Sequence, residues 1–435
     1  MKKFYRKRTI HFFINISIGI IIAIVFHFLE HTDWGEDTIN KAFDVIIAKE
    51  AEESAEAMES VTSERDTRIS NRIALVEINH EAYKKWGKPL LTPRDKLAEI
   101  VEAVCKAKAG IVVLDILLED RDCCHPEGDK ALRKVLEDIT ASKSTTKIIF
   151  PVRIGYDGEV RTHLFKDLLG KNPNFYPATA NVSAAATDRV IRYWVPFDTY
   201  KDGVSGNVLW NMSFLTAMLA EGKEAELKEL EHTLTTGNPH GSRHVKLDHG
   251  REIIITSDRD DIYRNRIRFL LIPKGTLPYH PGGNLFDRAY QAEEVKHAPL
   301  KDKIVIIGNS SPDAGDIHRT PVGTMAGMFI IGNAANTISL GMQPSHSPMW
   351  LNIVVEAAVI AMAAILFLYL HSFLAQVLSS VILLITLGVA SYYYFLHTGA
   401  FLNFIFAVVG MSFHRTIANI EELIQSKGGP RNEHS

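Results

Sequence analysis

Four long apolar runs frame the chain, one near its start and three near its end. Ile10–Leu29 contains no Asp, Glu, Lys or Arg over 20 positions. This is long enough for a helix to cross a hydrocarbon core of about 30 Å. The later runs are Met349–Leu370, Phe373–Leu396 and approximately Thr398–His414. The pattern predicts four transmembrane helices, one N-terminal and three C-terminal.

Basic residues indicate how these spans are oriented. Five precede the first run: Lys2, Lys3, Arg6, Lys7 and Arg8. Because such residues favour the cytoplasmic side, both termini are predicted in the cytoplasm. We divide the chain into an N-terminus with the first span (1–31), an extracytoplasmic domain (32–348), a three-helix bundle (349–414) and a tail (415–435). The tail is predicted to be too short for a cytoplasmic output domain.

The extracytoplasmic segment begins with helical spacing and continues with strand patterns. Residues 36–70 predict a stalk helix that loosens toward its end, and Glu50–Glu64 is interpreted as a solvated, charged stretch. Ile73–Ile78 predicts a strand, Pro93 opens a helix that runs to about Lys108, and Ile111–Leu118 predicts a second strand. The second strand is apolar on both faces, which is typical of parallel strands in a covered sheet.

The remaining elements combine buried and alternating patterns. Lys147–Val152 and Lys303–Ile307 predict further buried strands, and Glu221–Thr233 predicts a charged helix. Partial or clear alternation predicts antiparallel strands in three segments: Val190–Val195, Glu252–Ile255 and Tyr263–Leu271. The predicted fold class is therefore α/β, a three-layer extracytoplasmic domain with an antiparallel β section, joined to four transmembrane helices.

Composition narrows the classes of function. The chain has 435 residues, of which 46% are hydrophobic and 23% charged, and its formal net charge is −3. These values suit a folded protein with membrane segments. A basic excess is lacking, so binding to nucleic acid is not expected.

The three cysteines all lie in the segment predicted to be exported, where disulfides can form. A bridge from Cys105 to Cys123 or Cys124 is geometrically allowed, and the odd count leaves one thiol over or pairs it with another chain. The run Cys123-Cys124-His125 lacks the spacing of a zinc motif. We expect no metal site.

Glu356 lies inside the second apolar run. A carboxylate at such a position is a functional hypothesis, such as a proton or ion site. It lies about 10 Å from the outer end of its helix, so snorkelling or a hydrogen bond between helices are equally good interpretations.

The stretch KIVIIGNSSPDAGDIHRTPVG, Lys303 to Gly323, ends a buried strand in Gly308 and continues in a polar loop. In parallel α/β sheets, ligands gather beyond the carboxyl ends of the strands. The loop lacks the lysine of a P-loop, the glycine pattern of a dinucleotide fold and the serine of a nucleophile elbow. We therefore predict a ligand-binding edge without an enzyme activity and without a cofactor.

Asp115 lies at or near the end of a buried strand, where a carboxylate needs a partner. The candidate partners for a structural ion pair with Asp115 are three arginines: Arg94, Arg192 and Arg319. The alternative is that Asp115 contacts a ligand directly.

Three stretches together resemble the CHASE type-2 family of extracellular sensory domains in bacterial receptors. They are LVEINHEAYKKWGKPLLTPRDKLAEIVEAVCKAKAGIVVLDILLED (Leu75–Asp120), TDRVIRYWVPF (Thr187–Phe197) and KDKIVIIGNSSPDAGDIHRTPVGTMAGMFIIGNAANTI (Lys301–Ile338). The layout of one helix before the domain and three after it is similar as well. The resemblance implies sensing of an extracytoplasmic stimulus, usually relayed to a cyclase or kinase on the same chain.

Several positions depart from the family pattern. The family's aromatic run before the Pro-Arg helix start corresponds to Lys88–Thr92, and its Asp after the first strand is Asn79. Its Asp-Gly-x-x-Arg corresponds to Asp188–Arg192, and a histidine common near the last glycine turn corresponds to Gly332. If those family residues touch ligand, the ligand of this chain differs.

These observations predict a stand-alone sensor or regulatory protein of the bacterial cytoplasmic membrane. Its expected partners are a small-molecule or peptide stimulus, the lipid bilayer, a separate cytoplasmic or membrane signalling protein and, in a homodimer, a second copy of itself. The candidate ligand-binding residues are Arg94, Asp115, Arg192, Asn309, Ser310, Asp316 and Thr320. One alternative is an exported hydrolase or transferase that uses Asp115 and Asp316 as acid and base, with Arg94 as anion clamp. The other is a channel or transporter-like accessory scaffold, which Glu356 favours.

Overall fold

A computed structural model gives the structure of the chain. The described residues are 17, 20, 21, 24, 25, 28–30, 32–59, 68–89, 91–119, 121, 126–142, 144–155, 157–161, 164–169, 171–185, 187–202, 205–236, 242–256, 265–273, 289–292, 294–369 and 373–405.

The described residues contain ten helices and sixteen strands, numbered here in chain order. The helices are α1 Asp33–Glu59, α2 His80–Lys85, α3 Arg94–Lys106, α4 Pro126–Ala141, α5 Lys166–Leu169, α6 Met212–Ala220, α7 Glu224–Thr236, α8 Gly327–Ser339, α9 Met349–Tyr369 and α10 Phe373–Thr398. The strands are β1 Ile73–Ile78, β2 Ile111–Asp115, β3 Lys147–Pro151, β4 Phe175–Ala178, β5 Val182–Ala184, β6 Ile191–Trp194, β7 Phe197–Asp202, β8 Ser205–Trp210, β9 Ser242–Lys246, β10 Glu252–Thr256, β11 Ala289–Gln291, β12 Ile304–Asn309, β13 Ile317–Thr320, β14 Gly323–Ala326, β15 Ser345–His346 and β16 Ala400–Phe401.

Two units are distinguished by their internal contacts, and each is described by itself. The first, called the α/β domain below, comprises Ile47–Pro344. The second comprises the described parts of Met1–Ile46 and Ser345–Ser435.

A six-stranded parallel sheet forms the centre of the α/β domain, in the order β11-β1-β12-β2-β3-β4. The predicted strands β1, β2, β3 and β12 are all present, and their parallel arrangement is confirmed. β1 and β2 are not neighbours, however, because β12 lies between them. Every residue of β12 is buried, which fits its central position.

Helices cover both faces of this sheet, so the predicted three layers are confirmed. Alternate residues of each strand point to opposite faces. The residues in register with Val76, namely Ile307 and Leu114, join one apolar core with α3 and α4. On the other face Gly332 of α8 lies against Leu75 and Ile306.

The antiparallel section consists of short hairpins rather than one sheet. Four antiparallel pairs form: β5–β6, β7–β8, β9–β10 and β13–β14. The strands predicted at Val190–Val195 and Glu252–Ile255 are β6 and β10. The charged helix predicted at Glu221–Thr233 is α7, which begins and ends three residues later.

The strand predicted at Tyr263–Leu271 is wrong. Among its described residues, only Arg266 forms an isolated bridge, with Tyr193. Side chains of α8 take the place of a neighbouring strand. The Oδ1 atom of Asn333 accepts hydrogen bonds from the backbone N–H groups of Leu270 and Leu271, both at 2.7 Å. An alternating pattern therefore occurs here in an extended segment paired with a helix.

The second unit contains the C-terminal apolar helices. Within the described part of the chain, one helical segment, Val381–Thr398 in α10, is long and apolar enough to cross a membrane, and Met349–Val359 in α9 is apolar but shorter. The predicted third C-terminal run does not begin as a helix, because α10 ends at Thr398 and β16 pairs with β15. Residues 406–414 of that run lie outside the described residues. The four-span topology stays a prediction.

Candidate functional site

Three neighbouring parallel strands end at the same edge of the central sheet. Asp115, the last residue of β2, is in register with Gly308 of β12, and Asn309 of β12 is in register with Ile78 of β1. The carboxyl ends of parallel strands are where ligands bind in open α/β sheets. The edge predicted from sequence is therefore formed.

Two glycines bring helix α8 close to this edge. A Cβ atom on Gly308 would lie 2.5 Å from Cβ of Met328, the second residue of α8, so a side chain there would clash. A Cβ atom on Gly327, the first residue of α8, would clash with the carboxylate of Asp316. Glycine at both positions thus allows the helix start and Asp316 to lie against the strand ends.

Asp115, Asp316 and His318 form a polar group at this edge, which we call the edge cluster. Nε2 of His318 lies 2.8 Å from Oδ1 of Asp316 in a hydrogen bond. The charges of both residues act on Asp115. Oδ2 of Asp115 is buried and has no hydrogen-bond partner among the described residues. A buried carboxyl oxygen without a partner is costly unless the group is protonated.

Burial and neighbouring charge change the proton affinity of the edge cluster. The pKa of Asp115 is raised to about 8, first by burial and second by the charge of Asp316, while the charge of His318 opposes the rise. The hydrogen bond that His318 donates to the carboxylate of Asp316 raises the pKa of His318, against the opposing effect of burial. Asp115 is therefore mostly protonated at neutral pH and can donate a hydrogen bond.

Three other predicted site residues hold the local loops together. Oδ1 of Asn309 accepts a hydrogen bond from the N–H of Ser311 at 2.9 Å. The hydroxyl of Ser310 donates to Glu77. The hydroxyl of Thr320 donates to the carbonyl of Gly323 at 2.6 Å and closes the β13–β14 turn. These contacts shape the edge.

The two buried arginines bind elsewhere. Nη2 of Arg94 donates to the carbonyl of Leu117 at 3.0 Å, and its Nε lies 3.9 Å from Asp129. Arg192 forms a two-pronged ion pair with Asp188, at 3.0 and 2.7 Å. Neither pairs with Asp115 in the ranges that the structure covers. The ion pair predicted for Asp115 is therefore wrong.

The third arginine offered for that pair, Arg319, is exposed on β13. Side chains two residues apart on a strand share a face, so Asp316 and His318 point the same way while Arg319 points to the other side. This Asp-x-His spacing is the signal that sequence reasoning missed for His318.

Several positions at which the sequence departs from the pattern of the family it resembles have structural roles. The side chain of Asn79 accepts from the N–H of Ala82 at 2.9 Å and caps α2. Nζ of Lys88 lies 2.7 Å from Asp313 in an ion pair. Gly332 lies in an apolar environment, against Leu75 and Ile306 of the sheet and against Leu271.

The remaining predicted sites lie outside the edge cluster. Cys105 has no disulfide partner among the described residues, and burial raises the pKa of its thiol to about 12. Cys123 and Cys124 lie outside the described residues. Glu356 belongs to the second unit, where its charge acts on Glu30.

In the described ranges, no group of three or more His, Cys, Asp or Glu side chains is arranged to hold a metal ion. The two carboxyl groups and the imidazole of the edge cluster can exchange protons and hydrogen bonds.

The CHASE2 domain family matches residues 19–372. No curated protein and no solved structure matches the chain significantly. The match includes the central sheet, the edge cluster and helix α8, and it bears out the resemblance seen in the sequence. The chain belongs to the CHASE2 family of extracellular sensory domains.

Proposed function

We propose that the protein is a sensor of the bacterial cytoplasmic membrane whose extracytoplasmic domain receives its stimulus at the edge cluster. The stimulus is a small molecule or a peptide that exchanges hydrogen bonds with Asp115 and with the Asp316–His318 pair. Both termini lie in the cytoplasm, and the membrane helices pass the change to a separate cytoplasmic or membrane signalling protein.

The unpartnered oxygen of Asp115 supports this proposal best. Structural carboxyl groups in protein interiors are normally hydrogen-bonded or paired. Here the charge that acts most strongly on Asp115 is that of another carboxylate, Asp316. Perturbed acids of this kind occur most often at functional sites. A ligand that bonds to Asp115 would satisfy the oxygen that the fold leaves without a partner.

Signalling requires that the stimulus bind two conformations with different affinity. Asp115 offers such a difference, because its protonation and its hydrogen bonding depend on what occupies the edge. The membrane helices would then adopt one of two arrangements according to occupancy. A homodimer would place two such domains in one assembly.

The two alternative functions have less support. A hydrolase would need Arg94 beside the reacting group, and Arg94 is instead bound to Leu117 and Asp129. A channel-like scaffold would need polar residues along the membrane helices, and Glu356 is the main candidate. The hydrolase alternative therefore lacks its anion clamp, and the channel-like alternative gives Asp115 no role.

A thermal-shift panel on the full chain in lipid nanodiscs tests the stimulus site. The probes are amino acids, polyamines, short-chain carboxylates and inorganic phosphate, each added to the wild type and to Asp115→Asn near neutral pH. We expect at least one probe to raise the Tm of the wild type by several degrees, since a ligand that binds only the folded state stabilises it. The shift should be lost or much smaller in Asp115→Asn.

Asp313→Asn is the matched control. Asp313 is an exposed carboxylate in the same loop region and pairs with Lys88, so its replacement should leave the probe response unchanged. If no probe separates the wild type from Asp115→Asn, or if Asp313→Asn loses the response equally, the assignment of the stimulus site is refuted.

A further inference from the structure

One carboxylate of the stalk helix α1 is fully buried in the α/β domain. Glu50 has no exposed surface. Nε of Arg268 donates to both of its oxygens, at 2.9 and 2.7 Å, and Nη2 donates to Oε1 as well. Nη1 of Arg68 lies 3.2 Å from Oε1. We call Arg68 and Arg268 the arginine clamp.

Helix α8 positions both arginines of the clamp. Oγ1 of Thr337 accepts a hydrogen bond from the N–H of Arg268 at 3.0 Å. The neighbouring Asn336 donates to the carbonyl of Arg68 at 3.0 Å and accepts from the N–H of Ser70 at 2.8 Å. Two adjacent residues in the last turn of α8 therefore fix the segments that hold Glu50.

The first turn of the same helix lies at the edge cluster. The N–H of Gly327 donates to the backbone carbonyl of Asp316 at 3.2 Å. All residues from Met328 to Ser339 are buried, so the helix is packed along its whole length. Its 13 residues span about 20 Å at the standard helical rise. A close-packed helix of this length transmits a shift at one end to the other.

A purely structural role for the clamp is a poor explanation. Replacing a buried ion pair by apolar side chains of similar volume is often neutral or stabilising. Burial of the charged groups of Glu50 and Arg268 is thus not the simplest way to attach a helix. Such a group does define one position for Glu50, since a displaced stalk would leave the charges uncompensated.

We propose that helix α8 couples the edge cluster to the stalk helix, with Glu50 in the arginine clamp as the point of attachment. A displacement of Asp316 shifts the first turn of α8, and the last turn then shifts Arg68 and Arg268 together. The stalk helix follows the first predicted membrane span in the chain, so this is where a change in the domain leaves it. The inference rests on the proposed function only for the identity of the stimulus site.

Hydrogen–deuterium exchange on the full chain in nanodiscs measures attachment of the stalk. The amides of residues 47–59 are compared in the wild type, Glu50→Gln and Glu52→Gln. Glu50→Gln leaves two arginines facing a neutral group in a buried site, and exchange should become faster by about a hundredfold or more. Glu52 pairs with Lys49 at 3.5 Å nearer the surface, so Glu52→Gln should change exchange by less than about threefold.

Gly327→Ala tests the coupling from the other end of α8. The added methyl group pushes the carboxylate of Asp316 away from the helix start. Exchange of residues 47–59 should then change by about threefold or more if the edge acts on the stalk. In the background of Glu50→Gln the same substitution should add no further change.

Each outcome decides one part of the proposal. Unchanged stalk exchange in Glu50→Gln refutes the attachment, and unchanged stalk exchange in Gly327→Ala refutes the coupling. Strand β12 must stay protected throughout. If Glu50→Gln exposes β12, Arg68→Gln replaces that variant, because the Arg68 side chain is 26% exposed. Exchange of residues 47–59 should then become faster by about tenfold, a smaller effect than in Glu50→Gln. Unchanged exchange in Arg68→Gln refutes the attachment. The exchange experiment uses no ligand, so a negative thermal-shift panel would refute the stimulus site without affecting the test of the coupling.

Discussion

Two carboxyl groups of the α/β domain are surrounded in opposite ways. Glu50 is fully buried and held by two guanidinium groups. Asp115 has a buried oxygen without a partner in the described part of the chain, and a second acid acts on it. The fold thus places positive charge beside Glu50 in the stalk, whereas the strongest charge acting on Asp115 at the sheet edge is negative. A fixed pair resists change, whereas an unsatisfied carboxyl responds to protons and to ligands.

Helix α8 separates the two environments. At its last turn, amide and hydroxyl side chains satisfy the backbone around the arginines. At its first turn, Gly327 supplies no side chain and leaves room for Asp316. The comparison teaches that a single helix can carry a rigid attachment at one end and a titratable site at the other.

Removing Arg268 should have the largest effect on stability. Arg268→Met leaves Glu50 buried with only Arg68 as partner, and the loss of a buried partner costs about 3–5 kcal/mol of unfolding free energy. Urea titration in detergent micelles, followed by tryptophan fluorescence, measures it. The matched control is Arg319→Met, which removes an exposed arginine and should change stability by less than about 0.5 kcal/mol. Equal effects of the two variants would break the comparison.

Replacing Asp115 should stabilise the protein at alkaline pH, whereas replacing Arg268 destabilises it. The pKa of Asp115 rises from 3.8 to about 8 in the folded state. The folded protein therefore keeps a proton that the unfolded chain releases. The stability contributed by this group is complete below the unfolded pKa and is lost as pH rises through the folded pKa. Asp115→Asn cannot ionise, so it removes this loss.

Urea titrations at a series of pH values measure the difference. Asp115→Asn should gain stability over the wild type as the pH rises, by roughly 2–3 kcal/mol near the folded pKa after allowing for relaxation of the site. Asp313→Asn should show no such gain, since Asp313 is exposed and paired with Lys88. A constant difference between Asp115→Asn and the wild type at all pH values would contradict an unsatisfied Asp115.

Much of the fold could be predicted from local patterns. The apolar period and the proline at the helix start were enough for β1, α3 and β2. The insertion of β12 between β1 and β2 could not be predicted, because strand order depends on packing between distant segments. The prediction of a strand at Tyr263–Leu271 failed for a related reason. Its hydrogen-bond partners are side chains of a helix about 60 residues later in the chain.

The candidate site was predictable only in part. Asp115 was identifiable as an acid ending the buried strand β2, and Asp316 as part of the polar loop after β12. The sequence did not predict that Asp115 would lack a partner among the described residues, because Arg94 and Arg192 bind other acceptors in the folded structure. Glu50 was interpreted as part of a solvated stretch and is instead buried. Glu50 follows Phe43 and Ile46 by seven and four residues and so lies on the buried face of the helix, but its charge favoured a solvated interpretation.

Asp316→Asn should have the smallest effect and refines the account of Asp115. The charge of Asp316 is the second cause of the raised pKa of Asp115, after burial. Removing that charge should lower the pKa of Asp115 while leaving it above the ordinary value, because burial remains. It should also lower the pKa of His318, whose rise depends first on its hydrogen bond to Asp316.

Infrared difference spectroscopy across a pH series follows the protonated carboxyl band of Asp115, which is identified by its loss in Asp115→Asn. The midpoint should move to lower pH in Asp316→Asn and stay unchanged in Asp313→Asn. Loss of the His318 charge at alkaline pH opposes this shift, since that charge lowers the pKa of Asp115. A midpoint that rises would mean that Asp115 responds to His318 more than to Asp316, and that the edge cluster behaves as an ion pair around Asp115 rather than as two competing acids.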